Sequence, residues 1–161
     1  MDTTPRANYS FSLGLRVAGR GIATMAREQP LIFVWVNVFA TWFVGGGALM
    51  LYLGSTSWLP LVCVVTPLVA LPSLVLVASK YGFSRLLSVP RVIPWLVAMG
   101  FAVTEYLDGS YVSQPVGYSI FLIGFLVING VATLLDFFDI YRWLGGDRVE
   151  HPDTGFFGGA Y

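Results

Sequence analysis

The sequence predicts an all-α integral membrane protein, with four transmembrane helices and an N-terminal amphipathic interfacial helix. Three observations lead there. Four long apolar runs divide the chain, and most match the roughly 20 residues a helix needs to cross a bilayer. The composition is 56% hydrophobic and 11% charged, with a mean hydropathy of +0.73, too apolar for a water-soluble domain of 161 residues. The basic residues alternate between gaps. Arg6, Arg16, Arg20 and Arg27 precede the first run, Lys80, Arg85 and Arg91 separate the second from the third, and Arg142 and Arg148 follow the fourth. The connections 54–57 and 108–117 contain no lysine or arginine. Under the positive-inside rule, both termini and the middle loop are expected in the cytoplasm.

Residues 1–9 are polar, include Pro5 and read as a flexible tail. No short apolar stretch with a small-residue cleavage site opens the chain, so Met1 is expected to begin the mature protein. Over residues 10–28 a helical projection gathers Arg16, Arg20 and Arg27 within about 40° of one another, with Phe11, Ala18, Ile22 and Met25 opposite. That is the pattern of a helix lying on a membrane surface. Gly14, Gly19 and Gly21 weaken it in isolation, so contact with lipid or protein must hold it.

Residues 29–144 form the transmembrane domain. The first span, about 31–53, follows Pro30, a good first-turn residue. It carries Asn37 and Thr41 on one face, expected to hydrogen-bond across to another helix, and Gly45, Gly46 and Gly47, which permit close approach or a bend. The second span, 58–79, contains Pro67 and Pro72, which each remove a backbone hydrogen bond and are expected to kink it. The third, 92–108, has a short apolar stretch completed either by Leu86–Pro90 at the inner interface, with Arg91 snorkelling, or by continuation beyond Asp108. Arg91 and Glu105 stand about 21 Å apart along a helix. Both therefore cannot clear a core about 30 Å thick, and Glu105 is the best embedded acid. The fourth span, 118–141, sets Gly117, Gly124 and Gly130 near one face and carries Asn129 and Thr133 at i, i+4. At its end Asp136 is expected to be neutralised by Arg142 or by a base of the middle loop. Asp139 is expected on a solvated face, within reach of Arg142. The tail 145–161 reads as extended, and its Phe156, Phe157 and Tyr161 suit a docking contact.

These residues exclude much chemistry. The single histidine, His151, lies outside the spans, and Cys63 stands alone, so paired-histidine haem, copper, thiolate clusters and an intramembrane Ser-His pair have no ligands or bases. No span contains a lysine that could carry a Schiff base. Glu105 and Asp108 supply too few oxygens for a hard cation, and Gly45–Gly47 lacks the Lys-Ser or Lys-Thr of a phosphate loop. No catalytic, metal or cofactor residues are expected, and bound lipid is the ligand class left open.

The expected function is that of a non-enzymatic accessory subunit in a multi-subunit membrane complex. Asn37, Thr41, Gly45, Gly46, Gly47, Glu105, Gly124, Asn129, Thr133 and Asp136 would make helix contacts or polar contacts. Arg16, Arg20, Arg27 and the three tail aromatics would meet headgroups or partners at the cytoplasmic face. The expected partners are membrane lipids and other membrane subunits, and a net charge of zero argues against nucleic acid. The alternative is a small channel or transporter component, its polar path running by Glu105 and a Pro67/Pro72 kink.

Overall fold

The computed structural model describes residues 10–81 and 84–146. Helix α1 (Phe11–Glu28) is capped by Ser10, whose hydroxyl accepts from the Leu13 amide at 3.2 Å. Gly14, Gly21 and Met25 are its buried positions, while Phe11, Leu15 and Ile22 of its apolar side stay about half exposed and Arg16, Arg20 and Arg27 are exposed. Packing is tightest at Gly14, where a Cβ would stand 2.0 Å from the carbonyl oxygen of Val75. That glycine is what lets α1 lie directly on the helix bearing Val75.

The chain turns at Gln29, and Pro30 starts α2 (Pro30–Ala40). A π-helical turn, Thr41–Gly45, leads into α3 (Gly46–Tyr52), and the three segments form one apolar rod of 23 residues. The expected bend is thus a change of winding, centred just before the glycine run. The second rod, α4 (Trp58–Tyr81), remains helical through both Pro67 and Pro72. A 3-10 turn, Arg85–Ser88, then opens the third rod and α5 (Val89–Asp108) completes it. The third rod therefore begins at Arg85, before Leu86, and ends at Asp108, with Arg91 inside it. Gly109, in the left-handed conformation at φ 74°, ends α5. A second 3-10 turn, Ser110–Ser113, precedes α6 (Tyr118–Leu144).

All described regular structure is helical, and four of its helical rods are long and apolar enough to cross a membrane. Their outer surface is itself apolar: Leu31, Leu68, Ile93, Ile120 and Leu134 are exposed. In water such a surface would drive association. Inside, the rods close on an aromatic core in which the Phe43 ring lies 4.8 Å from Trp95 and 5.3 Å from Phe125. Small residues make room for it. A Cβ on Gly46 would meet Phe121 at 2.9 Å, one on Gly47 the Pro60 carbonyl at 2.9 Å, and one on Gly124 the Trp42 ring at 2.3 Å. Gly45 differs, since its nearest neighbour is Thr41 of its own rod at 3.8 Å.

Candidate functional site

Polar side chains gather in two layers, one at each end of the bundle, with the aromatic core between them. At the end where 54–57 and 109–117 connect the rods, Glu105 accepts hydrogen bonds from the Ser57 hydroxyl and from the Tyr118 phenol. The Tyr118 and Ser57 oxygens stand 2.7 Å apart around that carboxylate, so rods two, three and four are tied at one level. Gln114 continues the lacing, accepting at Oε1 from the Ser55 hydroxyl at 2.9 Å and from the Thr56 amide at 3.1 Å. This explains how a partly buried carboxylate is tolerated near the end of a span. Glu105→Ala removes the acceptor that the Ser57 and Tyr118 hydroxyls share and is expected to lower stability by about 1–3 kcal/mol, read from thermal unfolding in detergent. Pro67 and Pro72 stand about 14 and 21 Å from Trp58 along α4, so Glu105 and the prolines occupy different depths.

The opposite, arginine-bearing end contains two ion pairs. Arg85 donates to Asp139 at 2.8 Å, with both side chains 1% exposed. Arg91 donates to Asp136 and to the Ser88 hydroxyl, the latter at 3.1 Å. The assignment of Asp136 to a base of the 80–91 segment therefore stands, with Arg91 as that base. Asp139 is a correction. It is fully buried against Arg85, 54 positions away, and the expectation of a solvated face near Arg142 fails because the 3-10 turn carries Arg85 beneath α6.

Asn37 and Thr41 meet no other helix of this chain among the described residues. Both are exposed on the outer face of the first rod, and the Asn37 amide donates at 2.7 Å to the Phe33 carbonyl of its own helix. A groove of 380 Å³ runs beside them, lined by Phe33, Val34, Val38 and Trp42 as well. Asn129 and Thr133 instead point inward. The Asn129 amide reaches the Trp95 carbonyl at 3.4 Å, while Asn129 Oδ1 and the Thr133 hydroxyl have no hydrogen-bond partner among the described residues. Cys63 is a free, buried thiol within the core. Phe156, Phe157 and Tyr161 lie outside the described residues.

Spacing along single helices gave no sign of a further feature. Between α1 and the four rods, at the arginine end, lies a cavity of 330 Å³. Ala18, Ile22 and Met25 form its α1 side, Trp35, Phe39 and Trp95 supply aromatic wall, and Arg91, Asp136 and Asp139 make its polar end. Among the described residues no cluster of three or more His, Cys, Asp or Glu forms a metal-binding group. An apolar chamber with a few convergent polar groups is the usual form of a small-molecule site.

Comparison with protein-family models gives no match. Curated protein sequences and solved structures likewise give none.

Proposed function

We propose that this chain is a non-catalytic subunit of a larger membrane assembly, and that the Asn37–Thr41 face of its first span seats a transmembrane helix of a different subunit. The observation that carries this reading is the outward placement of Asn37 and Thr41. Thr41 is the middle residue of the rod Pro30–Tyr52, and Asn37 lies about 6 Å along the axis from it. In a bilayer both would face acyl chains. An amide without full hydrogen bonding in hydrocarbon costs about 2–7 kcal/mol, and the single bond to Phe33 leaves donor and acceptor capacity on Asn37 unused. A neighbouring helix supplies those partners, and the adjacent groove gives it a seat.

Native purification of the tagged full chain tests the idea. Wild type should elute with a defined second polypeptide, and Asn37→Leu should weaken that association about tenfold, the effect of losing roughly 1–2 kcal/mol. A monodisperse monomer, or an oligomer of this chain alone, would overturn the proposal. The exposed Arg16, Arg20 and Arg27 support placing α1 against anionic headgroups. They also support an orientation with both termini and the 80–91 segment in the cytoplasm. On that orientation, an impermeant thiol reagent added outside intact cells labels Ser113→Cys and leaves Ser10→Cys unlabelled. The reverse pattern rejects it.

A further inference from the structure

The cavity under α1 combines features that a simple lipid-filled crevice does not require. At 330 Å³ it is about twice the roughly 150 Å³ apolar cavity that accepts a benzene-sized guest. It therefore holds one substituted ring or a fused pair, and not the two chains of a phospholipid. Trp35, Phe39 and Trp95 offer the ring aromatic surface, in the offset and edge-on arrangements that aromatic groups favour.

The polar end selects the headgroup. Arg85 and Arg91 are matched by Asp139 and Asp136, so the formal charges cancel. An anionic head meets no net attraction there, and a neutral one meets no repulsion. Asp139 is 1% exposed, and its Oδ2 accepts no hydrogen bond from the described residues. A buried carboxylate oxygen left in that state is costly, and a hydroxyl donor on a guest relieves it. Arg91, on the same wall, offers N–H donors to a carbonyl or ether oxygen.

We infer that this cavity binds a neutral, ring-bearing amphiphile of the quinol or quinone class, its ring against Trp35 and Trp95 with the ring oxygens directed to Asp139 and Arg91. Helix α1 is the roof. The contact of Gly14 with Val75, itself a cavity residue, holds that roof down. The inference is independent of the partner helix, because the Asn37 face lies on the outer surface.

The test uses the full chain in nanodiscs, titrated with a decyl-substituted benzoquinone and with its quinol while tryptophan fluorescence is recorded. Saturable quenching is expected. Ala132→Phe, which fills the cavity from α6, should raise the Kd at least about tenfold. Ala18→Phe, which fills it from α1 without altering a rod, should do the same if the first variant misfolds. The outward substitution Leu68→Phe should leave the Kd unchanged, and decanoate should not displace the probe. Quenching that never saturates, that survives both cavity-filling variants, or that decanoate abolishes at equal concentration would overturn the inference.

Discussion

Asp139→Leu is expected to lower stability by about 3–5 kcal/mol, because it leaves Arg85 charged in a site it can occupy only with a counter-ion. Both side chains are 1% exposed, so little water reaches the guanidinium from outside. Arg85→Met should cost a comparable amount by stranding the carboxylate, whose Oδ2 already has no partner among the described residues. The double variant separates removal of a charge from removal of a contact. Replacing both partners with apolar side chains of similar volume should restore stability to within about 1 kcal/mol of the parent, since the desolvation cost disappears with the pair. Thermal unfolding of all four proteins in one detergent reads this directly. Single-variant losses under about 1 kcal/mol would mean that the pair behaves as a hydrated surface bridge.

The second large effect is expected at Gly14. A Cβ there would lie 2.0 Å from the Val75 carbonyl oxygen and 2.8 Å from its Cγ1. A side chain in the way can rotate, but a backbone oxygen inside a helix moves only with the helix. Gly14→Leu should therefore lift α1 off α4 at a cost of about 1–3 kcal/mol, localised to α1. Limited proteolysis or hydrogen exchange should show residues 11–28 loosened while the four rods keep their protection. Gly19→Leu is the control, because a Cβ at Gly19 meets nothing within 4 Å. Equal protection of α1 in both variants would contradict the packing described for Gly14.

The two ion-pair residues also show what the sequence could and could not convey. The four long helical rods were legible because a backbone in hydrocarbon must satisfy its own hydrogen bonds, and long apolar runs leave the helix as the available answer. The start of the third span was less so. Arg85 and Arg91 read as loop residues because a charge normally ends a span, and the aspartates of α6 pair with them inside the third rod. Local spacing offered Arg142 to Asp139 at i, i+3, and a partner 54 positions away leaves no such mark. One usable signal existed. Asp136 and Asp139 share a face of α6 at the same end as Arg85 and Arg91, two acids facing two bases.

Asn37 and Thr41 illustrate a different limit. Their i, i+4 spacing correctly places them on one face of a helix, but spacing does not say which neighbour that face meets, and within this chain it meets none among the described residues. Gly46, Gly47 and Gly124 do pack against other rods, while Gly45 does not, although all four carry the same residue type. The cavity lay beyond reach altogether. It exists only through the placement of α1 over residues from all four rods.

Position-specific photo-crosslinking in native membranes decides whether the Asn37–Thr41 face seats a helix of another subunit. A photoreactive side chain at Asn37 or Thr41 should form a discrete adduct with one other transmembrane polypeptide, identified by mass spectrometry. The same group at the outward positions Leu68 or Val127 should not. Adducts with lipid alone, with a second copy of this chain, or with equal yield at all four positions would contradict the account.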